Sequence, residues 1–330
     1  MKTAIFSTKF YEEEYLKKMN CDANHELSFF EAPLQPESIH LAKGFDAVSI
    51  LMNDKVDEKT LDELAKLNVR LIALRCAGYD NVDLEAASKK HIKVVRVPAY
   101  SPQSVAEHAV ALIMALNRKT HKAYCRTRGN NFTLQNLMGF NLYGKTIGVI
   151  GTGKIGSAFC EIMLGFGCKV LANDTNQSHE LKDKGVRYLP FLEVLEASDV
   201  VSIHCPLNDN TRHLFNSNSF SKLKRGAMVI NTSRGAIINT ENAIKALKNG
   251  QVKYLGIDVC ENEDQIFNHD FEDRVVENDN IARLLSFNNV LMTPHQAYFT
   301  EEAVMEISKT TIQNLSDFED GLHLENEIQA

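Results

Sequence analysis

Polar side chains that could act together in one reaction follow three of the apolar runs that the sequence predicts as strands. Arg234 and His295 each come a few residues after such a run. An acidic pair, Glu261 and Glu263, follows a third run. The carboxyl ends of parallel strands meet at one edge of a sheet, where such sheets bind their ligands. Arg can bind a carboxylate through two parallel hydrogen bonds, and His can give a proton to a carbonyl oxygen while a carboxylate holds the imidazole. This set predicts hydride transfer to a carbonyl group that adjoins a carboxylate.

Each of these residues also has an ordinary structural explanation. Arg234 could be a surface charge, and most members of an acidic run such as Glu261 and Glu263 are simply solvated. His295 could be a loop histidine, as most of the 11 histidines must be. Their joint placement after three strands favours the catalytic interpretation.

A dinucleotide-binding turn is predicted at Gly151-x-Gly153-x-x-Gly156, which follows a β-branched strand and precedes an apolar helix. The glycines permit a tight turn, a close approach of the backbone to a pyrophosphate, and close packing of helix on strand. The helix N-terminus offers backbone N–H groups to the phosphates. The alternative is a glycine-rich turn in an ordinary α/β domain.

The preferred nucleotide is indicated by Asp174, which ends the next predicted strand. A carboxylate at this distance from the glycines can accept hydrogen bonds from both ribose hydroxyls. Thr175 and Asn176 follow it, and neither is a cation that could bind a 2′-phosphate. The sequence therefore favours NAD over NADP.

Composition limits the remaining function classes. A chain of 330 residues is long for one core, so two domains are expected. The net charge of −7 argues against nucleic acid or an anionic membrane as partners. The first apolar run is too short for a signal peptide, and the longest clean one, Ala109 to Leu116, is far too short to span a membrane. Seven cysteines without a C-x-x-C pair fit reduced thiols in the cytoplasm rather than disulfides or a zinc site, and no metal is expected.

The predicted elements alternate between strands and helices, which indicates parallel sheets covered by helices. The first unit lacks a glycine triplet, and its predicted strands are Thr3–Ser7, Leu27–Phe30, Asp46–Leu51, Arg70–Leu74 and Lys93–Val97. One long helix is predicted from Ser104 to about Arg126, as core or as a subunit contact. The nucleotide unit has six predicted strands: the one before Gly151, then Lys169–Ala172, Asp199–Ile203, Ala227–Asn231, Tyr254–Asp258 and Val290–Met292. A last helix, Glu301 to Phe318, is expected to pack on the first unit.

Five motifs, in order along the chain, resemble the D-isomer-specific 2-hydroxyacid dehydrogenase family over essentially the whole length. They are Gly151–Gly156, His204–Leu207, Asn231–Gly235, Asp258–Glu263 and Thr293–His295. The resemblance implies an α/β fold of two Rossmann-like or flavodoxin-like domains with parallel sheets. An NAD domain, 100–298, would be inserted into a split catalytic domain, 1–99 plus 299–330. The catalytic set of the family falls on Arg234, Glu263 and His295; Glu263 is matched rather than Glu261 because it stands five residues after Asp258.

Within that family the chain resembles the D-lactate dehydrogenases of fermentative type. This likeness is carried by Arg75-Cys-Ala-Gly, Val97-Pro-Ala-Tyr-Ser-Pro102, Asn117-Arg-Lys-Thr-His121 and the acidic insert from Asp264 to Leu285. It implies that the chain reduces pyruvate to D-lactate with NADH. A longer 2-ketoacid or hydroxypyruvate stays open as the substrate, and so does a nucleotide-sensing, corepressor-like binding protein of the same fold.

The resemblance also implies the binding residues. The expected cofactor contacts are Gly151, Gly153, Lys154, Ile155, Gly156, Asp174, Cys205, Pro206, Thr211, Thr232, Ser233 and Asp258. The expected substrate contacts are Ala77, Gly78, Tyr100, Arg234, His295 and Tyr298. The expected partners are the small-molecule substrate and further copies of the chain, as a homodimer or homotetramer.

Overall fold

The computed structural model describes residues 1–52, 54–263, 266–267 and 270–329. The chain divides into two compact units, Met1–Ser101 with Phe299–Ala330, and Pro102–Tyr298. The second unit is thus inserted into the first. Its start lies two residues later than the sequence places it, at 101/102 instead of 99/100, and its end lies at the same position. Part of the acidic insert, namely Asp264, Gln265, Asn268 and His269, lies outside the described residues.

The first unit is built on a five-stranded parallel sheet. Its strands are β1 Lys2–Ile5, β2 Glu26–Phe29, β3 Ala47–Ile50, β4 Leu71–Leu74 and β5 Lys93–Val95, and its first helices are α1 Phe10–Met19, α2 Glu58–Lys66 and α3 Leu84–Lys89. The spatial order is β2-β1-β3-β4-β5, which is the flavodoxin-like order. Asp57 and Asp83 cap α2 and α3 by accepting hydrogen bonds from Thr60 N and Ala86 N.

The second unit contains a seven-stranded parallel sheet. Its helices are α4 Pro102–Arg118, α5 Thr120–Arg128, α6 Lys154–Gly165, α7 His179–Asp183, α8 Phe191–Ala197, α9 Ser217–Lys222, α10 Thr240–Lys248 and α11 Asp279–Leu285. Its strands are β6 Thr146–Ile150, β7 Lys169–Asn173, β8 Arg187–Tyr188, β9 Val200–Ile203, β10 Ala227–Asn231, β11 Val252–Ile257 and β12 Val290–Met292. The order β12-β11-β10-β9-β6-β7-β8 is the Rossmann order extended by one strand at the β12 edge. The predicted fold class is therefore confirmed.

The last helix, α12 Glu301–Glu319, belongs to the first unit. Ile312 and Leu315 on this helix are buried in a cluster with Ile5, Leu71 and Val95 from the sheet. Burial of a leucine or isoleucine side chain contributes about 1.5–3 kcal/mol, so these contacts secure the returning chain.

Two expectations about elements were wrong. The nucleotide sheet has a seventh strand, β8, which is only two residues long and carries Arg187 and Tyr188, so it has no apolar run to predict it. The single helix from Ser104 to Arg126 is two helices, because Lys119 has a left-handed backbone with φ of 52°. Helix α4 buries one apolar face, whereas α5 buries no described residue, so the chain changes direction between a packed helix and an exposed one.

Among the described residues, every helix is too short or too polar to span a membrane.

Candidate active site

The turn after β6 has the geometry that a dinucleotide needs. Gly151 has a φ of +92°, where a side chain would be strained, and it leads into α6. A Cβ on Gly156 would stand 2.0 Å from Gly151 O, so the helix can pack this closely only with glycine there. A Cβ on Gly153, by contrast, would meet nothing within 4 Å, which leaves space in front of the first turn of α6. The first N–H groups of a helix have no partner within it, so they are available to a phosphate here. Lys154 at the start of this turn is exposed, and Ile155 is half-buried.

The carboxylate of Asp174 lies directly beside this turn. Its Oδ2 accepts hydrogen bonds from Thr152 N (2.5 Å) and Thr152 Oγ1 (3.1 Å), and its Oδ1 accepts one from Asn176 N (2.8 Å). Burial raises the pKa of Asp174, but these hydrogen bonds outweigh burial, so the pKa lies below its ordinary value. The carboxylate is therefore ionised at neutral pH and can accept hydrogen bonds from ribose hydroxyls.

The ends of β9 and β10 form the next part of the predicted nucleotide site. Ser233 Oγ donates to Cys205 O at 2.5 Å, which joins the two strand ends. Thr232 Oγ1 is buried without a hydrogen-bond partner among the described residues, and a buried polar atom of this kind calls for one. The residues present thus fit NAD: open space at Gly153, an ionised carboxylate at Asp174 and an unpaired hydroxyl at Thr232.

Two of the predicted cofactor contacts, Cys205 and Thr211, lie in the segment that follows β9. Thr211 Oγ1 donates to Pro206 O at 2.6 Å, so its hydroxyl closes the turn from 206 to 211. Burial raises the pKa of the Cys205 thiol to about 11, which keeps it protonated and unreactive. The cofactor roles of Cys205, Pro206 and Thr211 stay predictions.

Arg234 follows β10, where the chain packs closely against the segment at Cys260. A Cβ on Gly235 would stand 2.0 Å from the carbonyl carbon of Cys260, so only glycine permits this approach. Asn231 Nδ2 donates to Arg234 O (2.9 Å), which closes the turn behind it. The guanidinium donates to Ser233 O (2.9 Å) and makes no ion pair among the described residues. A half-buried guanidinium without a carboxylate partner can bind a carboxylate from solution.

His295 and Glu263 form a pair. His295 Nδ1 lies 2.7 Å from Glu263 Oε1, and both side chains are about one-fifth exposed (23% and 19%). Glu263 Oε2 accepts a hydrogen bond from Cys260 N at 3.1 Å, so the carboxylate is held from both sides. With Nδ1 bound to Glu263, the ring presents Nε2 as the nitrogen that can give or take a proton. The backbone of His295 is left-handed, with φ of 54°.

Glu261, the other member of the acidic run, has different partners. Its Oε1 lies 2.6 Å from His213 Nε2, and its Oε2 accepts hydrogen bonds from Thr240 N (2.8 Å) and Thr240 Oγ1 (2.6 Å) at the start of α10. Burial raises the pKa of Glu261, but the bonds from Thr240 and His213 bring it below its ordinary value. The structure brings Glu263, and not Glu261, together with His295.

Asp258 holds the segment that carries His295. Its buried carboxylate accepts hydrogen bonds from Thr293 Oγ1 (2.5 Å), Gln296 N (2.9 Å) and Ala297 N (2.8 Å). His108 Nε2 on α4 lies 3.0 Å from Thr293 Oγ1 and extends the network. The sequence predicts Asp258 as a cofactor contact, and that role stays a prediction beside the observed structural one. Thr293 and His108 were missed, although Thr293 stands in the motif that ends at His295.

His204, which follows β9, is unsuited to proton transfer. The His204 ring lies 4.9 Å from the Phe159 ring, and its Nε2 lies 2.8 Å from Ser202 Oγ. Burial lowers the pKa of His204 to about 3, so this imidazole is neutral at physiological pH. No group of three or more His, Cys, Asp or Glu side chains arranged to hold a metal is found in the described ranges.

The remaining predicted substrate contacts divide between the two units. Ala77, Gly78 and Tyr100 belong to the first unit, and Tyr298 belongs to the second. Ala77 and Gly78 are half-buried in the loop that follows β4. Their substrate contacts stay predictions.

A Rossmann sheet with an NAD-type turn, an ionised carboxylate beside that turn and a paired glutamate and histidine are the features of an NAD-dependent dehydrogenase of 2-hydroxyacids. The chain belongs to the D-isomer specific 2-hydroxyacid dehydrogenase family, whose NAD-binding domain model matches residues 110–297.

Relatives of known activity extend this comparison to the full length of the chain. The chain is 48% identical to the D-lactate dehydrogenase of Escherichia coli over 328 residues, which cover 99% of this chain and 100% of that one. The pyruvate reductase of Chlamydomonas reinhardtii superimposes with a TM-score of 0.93 at 42% identity, covering 99% of this chain and 98% of that one. A D-lactate dehydrogenase from Lactobacillus jensenii, solved with NAD⁺, superimposes with a TM-score of 0.85 at 30% identity and full coverage of both chains.

Proposed function

We propose that the chain is an NAD-dependent D-lactate dehydrogenase, which reduces pyruvate to D-lactate. The observation that carries this proposal is the 2.7 Å contact between His295 Nδ1 and Glu263 Oε1. The same unit contains the guanidinium of Arg234, which makes no ion pair among the described residues. The similarity to D-lactate dehydrogenases along the whole chain supports pyruvate as the substrate.

The roles of the three residues follow from their contacts. Arg234 binds the pyruvate carboxylate with its guanidinium, through two parallel hydrogen bonds that fix the orientation of the ketone. His295 donates a proton from Nε2 to the carbonyl oxygen, and the same atom removes it in the reverse direction. Glu263 holds the ring at Nδ1 and stabilises the imidazolium before its proton is given up. NADH, when bound, supplies the hydride.

The direct test is a steady-state assay of NADH oxidation with pyruvate, 2-ketoisocaproate and hydroxypyruvate, followed by chiral analysis of the product. The proposal predicts the highest kcat/KM with pyruvate and D-lactate as the product. A higher kcat/KM with either of the other acids would reassign the substrate. NADH binding without turnover of any of them would instead favour the corepressor-like alternative.

The preference for NAD should depend on Asp174. Replacing Asp174 by Ser together with Thr175 by Arg removes an ionised carboxylate and adds a cation, so a 2′-phosphate is no longer repelled. Since a like-charge contact costs several kcal/mol, the ratio of kcat/KM for NADPH to that for NADH should rise at least about 10-fold. Asp209→Ser, which removes an exposed carboxylate from the same unit, is the matched control and should leave the ratio unchanged. Equal use of the two nucleotides by the unaltered enzyme would contradict this assignment.

We also propose that the chain forms a homodimer or homotetramer through the segment from Tyr124 to Tyr143. Large apolar side chains are exposed along it: Phe132 (72%), Leu134 (83%), Met138 (88%) and Tyr143 (80%). Exposed apolar side chains grouped in this way are typical of a protein–protein contact. A cytoplasmic location stays a prediction from the cysteine usage.

Light scattering after size-exclusion chromatography should give a mass that is a multiple of 37.0 kDa. Replacing both Leu134 and Met138 by Asp should shift the mass toward one chain, because buried carboxylates without partners oppose association. Leu322→Asp, at an apolar side chain that is 59% exposed in the first unit, is the control. A monomeric unaltered protein, or dissociation only in the control, would contradict the assigned contact.

A further inference from the structure

The loop after β4 contains two consecutive backbone N–H groups without partners. Neither Ala77 N nor Gly78 N donates a hydrogen bond within the described residues, although both residues are half-buried. An N–H group that has no partner in the chain and is open to solvent can donate to an anion from solution. The family resemblance implies that Ala77 and Gly78 contact the substrate, and the anionic group of a 2-ketoacid is its carboxylate.

Arg96, which follows β5, holds this loop. Its Nη1 donates to Ala77 O at 2.7 Å, and its guanidinium carbon lies 5.1 Å from the centre of the Tyr79 ring. The backbone on both sides of the loop is joined as well, because Val97 N donates to Cys76 O at 3.3 Å. The side chain of Arg96 therefore contacts the loop at two points.

The backbone of Arg96 is itself fixed by the returning C-terminal chain. Arg96 N donates to Asn326 O (3.1 Å), and the buried Asn314 on α12 donates through Nδ2 to Arg96 O (3.0 Å). Asn326 Nδ2 donates to Asn314 Oδ1 (2.8 Å), which closes the network. The backbone that carries this guanidinium is therefore held on both its N–H and its carbonyl side.

The charge of Arg96 is not neutralised locally, since its guanidinium makes no ion pair in the part of the chain that the structure describes. Ala77 C=O and Gly78 N–H belong to one peptide group. A cation hydrogen-bonded to the oxygen end of a peptide polarises it and strengthens donation from the nitrogen end. The same positive charge attracts an anion that binds at that N–H.

We propose that Arg96 is a positioning residue for the substrate carboxylate, acting through the peptide group that joins Ala77 and Gly78. The proposal rests on the function proposed above and assigns to Arg96 a role that its distance in sequence from the catalytic set does not suggest. Arg96 fixes the loop, polarises the Gly78 N–H and supplies charge, while the substrate contact itself is made by the backbone.

The test is Arg96→Gln, which can still donate to a carbonyl but carries no charge. A carboxylate contact of this kind acts equally in the ground state and the transition state, so its loss raises KM without lowering kcat. KM for pyruvate and the dissociation constant of oxamate, an unreactive analogue with the same carboxylate, should both rise about 10-fold. The dissociation constant of NADH should change by less than about 2-fold. Arg96→Lys keeps the charge but not the planar guanidinium, so its KM for pyruvate should lie between that of the unaltered enzyme and that of Arg96→Gln.

Arg70→Gln is the matched control, because Arg70 lies in the same unit and stacks on an aromatic ring, Phe318, away from the loop. It should leave pyruvate KM and oxamate binding unchanged. Equal effects of Arg96→Gln and Arg70→Gln on oxamate binding would overturn the proposal, and so would an equal loss of kcat and NADH affinity in the Arg96 variants. The proposed function is tested separately by turnover of pyruvate in the unaltered enzyme. The ratio of oxamate affinities between a variant and the unaltered enzyme does not depend on that turnover, so the two proposals can fail independently.

Discussion

Replacing His295 by Gln should lower kcat/KM for pyruvate reduction by about 10²- to 10⁴-fold, which is the usual contribution of a general acid or base. Gln keeps a polar side chain of similar reach but cannot give up a proton to the developing alkoxide. Lactate oxidation should fall by a similar factor, because the same nitrogen acts as the base in that direction. The NADH dissociation constant, followed by fluorescence, should stay near the wild-type value, since neither ring nitrogen is assigned to the nucleotide.

Glu263 and Glu261 provide a matched pair of controls for this assignment. Glu263→Gln should lower kcat, by less than His295→Gln does, because it removes the charge that stabilises the imidazolium but keeps a hydrogen-bonding group. Glu261→Gln should leave kcat near wild type, since Glu261 contacts His213 and Thr240 instead. It should lower the melting temperature, because two donors at the start of α10 lose an ionised acceptor. The opposite pattern, a large kcat loss only in Glu261→Gln, would show that Glu261 and not Glu263 acts with His295.

The positions of Arg234 and His295 after strands of one sheet could be predicted because they depend on simple rules about parallel sheets. The apolar runs before Arg234 and His295 form β10 and β12, and both strands lie in the same parallel sheet as the strand before Gly151. Position after a strand is therefore sufficient to bring such residues to one edge. The glycine spacing was sufficient too, since Gly151 and Gly156 meet across a single turn.

Spacing alone could not separate Glu261 from Glu263, which are two residues apart in the same acidic run. Their roles depend on where the chain turns after β11, and no local pattern encodes which of them faces His295. The family resemblance selected Glu263, and its contact with His295 Nδ1 supplies the physical reason. The structural role of Asp258 could not be predicted either, because its three hydrogen-bond partners lie 35 to 39 residues away.

Interactions between charged residues that are distant in sequence were out of reach altogether. Arg75 is 2% exposed, and its guanidinium donates to Glu12 (2.9 Å) and to the carbonyl of Phe6 (2.8 Å). Nothing in either local sequence predicts that this arginine is buried, because buried charges are rare unless they are paired and the partner is 63 residues away. The hydrogen bond from the Arg96 guanidinium to Ala77 O is likewise not encoded in either local sequence.

Replacing Arg234 by Lys should lower kcat/KM for pyruvate by about 10- to 150-fold, which corresponds to the loss of one hydrogen bond to a charged group. Lys keeps the positive charge, but its ammonium cannot form the two parallel hydrogen bonds of a guanidinium, so the ketone is no longer held in one orientation toward His295. The NADH dissociation constant should change by less than about 2-fold, because the guanidinium is assigned to the substrate. Arg225→Lys, at an exposed arginine of the same unit that donates to Asn249 O, is the control and should match wild type in both measurements. A loss of NADH affinity comparable to the loss in kcat/KM would place Arg234 on the cofactor instead, and the orienting role would then need another cation.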